Sequence, residues 1–452
     1  MANYVVSDTS LTSVADAIRT KGGTSAALAF PAGFVSAISA IPSASSVTIE
    51  PLSVASNGTY MASSGYAYSP VTVSVPSSGD TSAEDGLVTR TLSHYTNSRV
   101  TSVGAYAFYS WSSLQAVSFP ECSTIGGYAF GFCTKLTAIS FPTCSSAGML
   151  AFASCYSLAA ISIPNCRTFG TACFMRCSAL QEALFSSVQT ISPSAFRDCI
   201  NLNTASFPVC TSIASDAFYN CYRLENLSFP ECTTVSNSAF YNCSALSALT
   251  DLHFPKCTTI GSSAFASCIG LEVVDLSNVT VIYSSAFASC ASLRTISFKS
   301  CSNIDTYAFA NCSALSDVFL PACKYIRLGA FSSCTGLTSI ELPACSYVYS
   351  SAFFRCYGLS AVSLPVCKTI SASAFCSCTH LVSLFLFGTS VPTLGSYAFL
   401  GTPISGYTTS TGGQVGSIFV RSSKLSAFLS ATNWSRFSSC FVGVPDEQID
   451  GE

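Results

Sequence analysis

The chain has 452 residues, 49% of them hydrophobic and only 9% charged, with a net charge of −3 and a pI of about 5.6. Such a balance gives no electrostatic pull toward nucleic acid or an anionic membrane surface. No apolar run approaches the ~20 residues a spanning helix needs, which excludes membrane insertion by that route.

Met1 to Ser10 lacks a basic stretch followed by an apolar one and a small-residue cleavage site, so no secretory leader is expected there. Residues 8–43 read as two short helices. Asp8 or Ser10 caps the first, whose Leu11, Val14, Ala15 and Ile18 recur at helical spacing up to Gly22-Gly23. The second begins near Pro31 and carries Phe34, Val35, Ile38 and Ile41 on one side until Pro42. Neither is long enough to stand alone, so they are expected to pack on each other or on a partner. Residues 47–76 switch to period two. Val47, Ile49, Leu52 and Val54 lead into the turn signal Asn57-Gly58, and Val71, Val73 and Val75 alternate with Thr72 and Ser74. A small β unit is expected here, with a polar linker from Ser77 to Asp85.

From there a phenylalanine returns every 22 residues, almost always behind alanine: Phe108, Phe130, Phe152, Phe174, Phe196, Phe218 and Phe240. After a three-residue insertion it continues as Phe265, Phe287, Phe309, Phe331, Phe353 and Phe375, and ends at Phe399 after a 24-residue step. A fixed period in this range marks stacked units, each too small to bury its own apolar face. Each period reads A-F-x-x-C-x-x-L-x-x-[I/V]-x-[F/L]-P-x-C-x-x-I. Val117 and Phe119 alternate with Ala116 and Ser118, which predicts a short strand with one face inward. Pro120 and its successors, from Pro142 to Pro365, close that strand because proline has no N–H for a ladder. The Ala-Phe half is expected to form a short helical or 3₁₀ turn. Strands centred near Val117, Ile139 and Ile161 should run parallel, with the extra residues around Leu249–Leu252 bulging from one coil. Roughly 13 coils at about 4.8 Å each predict a body about 60 Å long.

Beyond residue 400 the pattern decays. Gly401, Thr402 and Pro403 stand where a cysteine usually follows, and Ile418, Phe419, Val420, Leu425, Phe428 and Trp434 belong to a different pattern, the expected cap of a stack. The acidic tail from Asp446 to Glu452 is expected to be disordered. The chain therefore divides into 1–43 (helical attachment segment), 44–85 (β unit and linker), 86–400 (repeats) and 401–452 (cap and tail).

Of the 25 cysteines, all but Cys173, Cys376 and Cys440 fall into two columns, three residues after the repeat Phe or two after the proline slot. Stacked thiols could bridge geometrically. However, Val188 and Val279 replace Cys in the second column and Trp111 precedes the first, as in a packing slot that tolerates several apolar residues. Free, buried thiols are expected, which fits assembly in a reducing cytoplasm. A zinc site is poorly supported, since Cys376-Ser377-Cys378 has the wrong spacing.

No constellation for chemistry emerges. His94, His253 and His380 are scattered, and Glu182, Asp251, Asp275, Asp317 and Glu341 sit singly in separate coils, as solvated faces do. Glycoside hydrolysis would need two such acids held about 5–9.5 Å apart. Neither a phosphate-cradling glycine loop nor a nucleophile elbow is present. No enzyme activity and no cofactor are expected. Tyrosine is more suggestive. Tyr106, Tyr109, Tyr128, Tyr156, Tyr219, Tyr222, Tyr241, Tyr307 and Tyr357 flank the repeat Phe or follow its Cys, at coil edges. They are candidates for a ligand surface, because Tyr offers large contact area at low entropy cost, and equally for edge packing between coils.

The core L-x-x-L-x-L-x-x-C of each period resembles the leucine-rich-repeat template, and the full motif over about residues 100–400 resembles the BspA-like, or treponemal-type, leucine-rich repeat. That resemblance implies an α+β right-handed solenoid with short parallel strands, preceded by the helical segment and the β unit. The wording Thr12-Ser13-Val14-Ala15-Asp16-Ala17-Ile18-Arg19 with Lys21-Gly22-Gly23, and Asn57-Gly58-Thr59-Tyr60 with Gly65-Tyr66-Ala67-Tyr68-Ser69-Pro70-Val71, is similar to segments of tail-associated proteins in phages and prophages of gut bacteria. This implies a non-enzymatic receptor-binding component of a virion tail, joined to other tail proteins through residues 1–76 and touching a bacterial surface protein or glycan through its repeats. A second copy of the chain is a further candidate partner. The alternatives are a cell-surface BspA-like adhesin and a purely structural tail or baseplate protein.

Overall fold

The computed structural model describes residues 60–61, 67–68, 93–98, 100–250, 253–405 and 415–451. The helices expected within residues 8–43, the Asn57-Gly58 turn, the linker and residues 251–252 lie outside them. Within the expected β unit, Tyr60–Met61 and Ala67–Tyr68 form a short antiparallel pair.

The repeats wind into a parallel-strand solenoid of about 15 turns. A coil contributes two strands, and residues 104–125 illustrate the path. Ala116–Ser118 pairs in parallel with His94–Thr96 before it and Ala138–Ser140 after it, 22 residues away on either side. The middle residue, Val117, turns inward and its neighbours face out, as the alternation predicts. Pro120 then sits inside a turn closed by the Cys122 N–H on the Phe119 carbonyl, where a fixed φ suits the second turn position. The chain re-enters a second, two-residue strand, Thr124–Ile125, with Ile125 buried. This second column builds a four-stranded and a ten-stranded sheet.

The Ala-Phe half differs from the helical turn expected of it. It is a succession of turns in which the residues two before and two after each repeat Phe take positive φ, as in Tyr106 (60°) and Ser110 (58°), or Asp216 (58°) and Asn220 (59°). Only three residues remain between these left-handed positions, too few for helix. Every second N–H instead crosses to the next coil: Tyr106 to the Gly127 carbonyl at 3.0 Å, Phe108 to Ala129 at 2.7 Å and Ser110 to Gly131 at 2.8 Å. Among the described residues α-helix is confined to Leu425–Ser430 and Asp446–Asp450, and 3₁₀ helix to short pieces from Pro403 onward, so the body is a β-solenoid with little helix and not an α+β repeat.

The repeat phenylalanines form one column through the core. Phe218, Phe240 and Phe265 stack at 5.1 Å with planes within 8°. All 25 cysteines are free, and each is buried except the part-exposed Cys376. In the first column the thiol donates to the carbonyl of the repeat Phe one coil earlier, Cys133 to Phe108 at 2.9 Å and Cys199 to Phe174 at 3.1 Å. In the second it donates two residues ahead, Cys144 to Ser146 at 3.2 Å. Burial pushes the pKa of Cys301 and Cys367 up to about 11 and that of Cys268 up to about 12. A disulfide reagent should therefore titrate 25 thiols in denaturant and promptly reach at most Cys376 in the folded chain. Ten or more missing thiols, or rapid native labelling of several, would refute the packing role.

Three extra residues are absorbed without breaking the stack. The Phe207 N–H bonds the Ser228 carbonyl, whereas the equivalent Phe229 N–H bonds His253, past the insertion. The next strand pair, Thr234 with Thr259 and Val235 with Ile260, is back in register. At the far end Phe399 is covered by Phe437 at 5.7 Å and Trp434 at 6.0 Å, the Trp434 indole donating to the Pro392 carbonyl at 2.7 Å. Two last parallel strands, Ser417–Arg421 and Phe441–Val444, close the cap. The acidic tail is not disordered as expected. Asp446–Asp450 is a short helix held by Arg421, whose guanidinium donates to both Asp450 carboxylate oxygens at 2.9 and 2.6 Å and lies 3.6 Å from Asp446. Acidity alone suggests a solvated tail. One part-buried arginine reverses that.

Candidate functional site

The solenoid carries its side chains in axial rows, one residue per coil, so the fate of each candidate tyrosine depends on its row neighbours. Tyr106 and Tyr128 stack on each other at 4.8 Å, with Tyr109 edge-on to Tyr106 at 5.6 Å. Tyr219 and Tyr241 stack at 4.7 Å, and Arg197 lies 4.1 Å over the Tyr219 ring. These five meet in two separate groups, as edge packing between neighbouring coils. The second group is also electrostatically closed. Arg197 reaches Asp216 at 3.5 Å and Asp198 at 3.8 Å, Arg176 reaches Asp198 at 3.7 Å, and the Asn220 amide donates to Asp198 at 2.9 Å. Tyr156, Tyr222, Tyr307 and Tyr357 are exposed, at 40–43%. They lie coils apart or on different rows and do not converge. The Tyr307 ring covers Gly329, whose φ is +59°; a Cβ there would sit 2.2 Å from the ring.

The acids on the strand face stay single. Glu182 pairs in register with Thr204, Asp275 and Asp317 with Ser297 and Thr295, and Glu341 with Ser363. Asp251 lies outside the described residues. His94 contacts Ser93, and His253 accepts from the Thr250 N–H at 3.3 Å, fixing the insertion's turn. His380 lies 2.6 Å from the Tyr357 carbonyl. Among the described residues no cluster of His, Cys, Asp or Glu could hold a metal, and no helix is long and apolar enough to cross a membrane. Among the described residues one hollow lies over strands His94–Thr96, Ala116–Ser118 and Ala138–Ser140, and another beside the cap between Leu400, Ile404 and Phe437.

A further polar-aromatic patch was not among the candidates. It lies on the second strand column, where Tyr325 and Tyr347 pair in register and stack at 5.5 Å. Tyr349 is 6.4 Å from Tyr347. Arg327 lies over both sides of this group, 5.6 Å from the Tyr325 ring and 5.1 Å from the Tyr349 ring, and its Nε donates to Asn303 Oδ1 at 3.0 Å. The signal was in the sequence: Tyr325 with Tyr347, and Arg327 with Tyr349, are each 22 residues apart and so share a row. Attention to the flanks of the repeat Phe passed over a column whose strand is two residues long.

Comparison with known proteins agrees with this architecture. A family model described as BspA type leucine rich repeat region (6 copies) matches residues 101–210, 211–323 and 302–425. Among solved structures, a leucine-rich repeat protein from Bacteroides ovatus is 22% identical, with a TM-score of 0.54 over 78% of this chain and 92% of that one. A leucine rich cell surface protein from Faecalibacterium prausnitzii, also 22% identical, aligns over 66% of this chain and 88% of that one with a TM-score of 0.40. A leucine-rich repeat protein from Eubacterium ventriosum is 20% identical over 70% and 91%, with a TM-score of 0.44. No curated protein matches the chain. With matched segments spanning well over half of its length, repeat after repeat, the chain belongs to the BspA type leucine-rich-repeat family.

Proposed function

We propose that this chain is a non-enzymatic recognition protein that binds a macromolecular surface, a bacterial surface protein or glycan, through the outward rows of its solenoid. The observation that carries the reading is the division of labour within each coil. The inward Phe, Leu and Cys columns repeat almost without change and are buried, while the outward rows hold Tyr, Arg, Asn and Ser in combinations that differ from coil to coil. A rigid scaffold with varied aromatic and arginine side chains on its outside suits recognition. Within this reading residues 1–76 attach the chain to a larger assembly, and the tail-like wording of that region supports a virion tail as that assembly. A cell-surface adhesin is the second setting.

The full chain and a version lacking residues 1–76 should bind the same bacterial cells or surface extracts, and only the full chain should enter tail particles. Loss of cell binding in both, with incorporation preserved in the shortened chain, would favour a purely structural role.

A further inference from the structure

We infer that the Arg327 patch is a binding site for a carboxylate-bearing glycan, the polymer lying along the second strand column across the coils of Tyr325 and Tyr347. This rests on the recognition reading and names its ligand class.

The tyrosine groups of the solenoid differ in one respect that decides between them. Arg176 and Arg197 are spent on Asp198 and Asp216 beside the Tyr219–Tyr241 stack. Tyr106 and Tyr128 stack on each other with Tyr109 edge-on to Tyr106. Arg327 alone joins a tyrosine stack without an ion pair among the described residues. Asn303 takes its Nε, the Tyr325 and Tyr349 rings lie 5.6 and 5.1 Å from its Cζ, and neither Nη is engaged by another described residue. Asp305, its neighbour in the row, is engaged by the Thr306 N–H at 2.7 Å. A guanidinium anchored through its Nε keeps its fork ready for a planar carboxylate. Two exposed lysines extend the charge: Lys324 and Lys368 share a row with Ser346 between them, about 10 Å apart at twice the inter-strand spacing.

The shape excludes a peptide added as a strand. Tyr325–Ile326 and Tyr347–Val348 are interior strands of the ten-stranded sheet, with neighbours on both sides. Their backbone ladder is occupied, so strand addition, which needs a free edge, is closed. What remains is a flat surface of hydroxyls. The rings of Tyr325 and Tyr347 stack with planes within 13° and are part-exposed, and Ser346 precedes Tyr347 while Thr369 pairs with it in register. A polyol with regularly placed carboxylates meets hydroxyl partners at every coil and cations at alternate ones.

The test uses the full chain with polygalacturonate fragments as the probe, neutral dextran and polyglutamate as comparators, at low and raised salt. Polygalacturonate should bind, weaken as salt is raised and exceed both comparators. Arg327→Gln should weaken it about tenfold or more, Tyr347→Phe severalfold, and Arg176→Gln not at all. Equal or tighter binding of polyglutamate, an equal loss in Arg176→Gln, or no retention of polygalacturonate at low salt each overturns the assignment. If cells still bind the Arg327→Gln chain and polygalacturonate does not compete, the patch is wrong while surface recognition stands.

Discussion

Raised from pH 8 to pH 10.5 under reducing conditions, the solenoid is expected to lose most of its stability and unfold cooperatively. A cysteine in the unfolded chain titrates near its ordinary value of 9.0, but burial holds Cys257, Cys301 and Cys367 protonated to about 11 and Cys268 and Cys345 to about 12. Below pH 9 both states keep these protons, and the full stability is present. Between 9 and 11 the unfolded chain has released them and the folded one has not. The unfolded state then binds fewer protons, so stability falls as pH rises. Each thiol contributes about 1.4 kcal/mol per pH unit, so these five alone remove about 7 kcal/mol per unit, against a typical total of about 5–15 kcal/mol. Cys177, Cys221 and Cys243, raised well above 9.0 chiefly by the same burial, add to the slope. Urea midpoints followed by circular dichroism across this range measure it. A midpoint that stays level to pH 10.5 would mean the thiols are not buried as described.

Phe240→Ala should be among the most damaging single changes, at about 3–5 kcal/mol. Its ring is fully buried, with Phe218 and Phe265 each 5.1 Å away on its two faces and Phe229 and Phe254 edge-on at 6.1 Å. Truncation removes contacts on both faces at once and leaves a void in a one-dimensional stack, where neighbours are the only source of support. Phe319, 53% exposed on the strand face, provides the contrast, since its replacement by Ala should cost less than about 0.5 kcal/mol. Equilibrium unfolding of both variants separates the cases. A loss below about 1 kcal/mol at Phe240 would show that the coils do not depend on the ring column.

The parts of this fold that were legible in the sequence are those whose signal repeats in a residue type. Phe at a fixed period gave the stack, Val117 between Ala116 and Ser118 gave the strand, and Cys exchanging with Val gave the buried thiols. Thr124–Ile125 was missed because two residues cannot display alternation. The left-handed pairs were missed because Tyr106, Ser110, Asp216 and Asn220 fill them without the glycine that usually marks positive φ. Here the cross-coil hydrogen bonds hold a conformation that local propensity would not choose. The nine tyrosines were chosen by position within one coil, whereas their surroundings depend on the row: Arg197 draws Tyr219 into packing, and Arg327 gathers three tyrosines that no single coil reveals.

The corner between Thr250 and His253 carries one last consequence, for how such a chain can change length. Extra residues there leave the Phe229 bond intact by passing its acceptor role to His253, and the strands of the second column resume their pairing at once. Added length at that corner is thus paid in loop and not in register. A segment that enters at the strand-to-proline corner lengthens one coil and leaves the register of the stack unchanged. The same corner is the natural graft point for a foreign loop displayed on an otherwise unaltered rod.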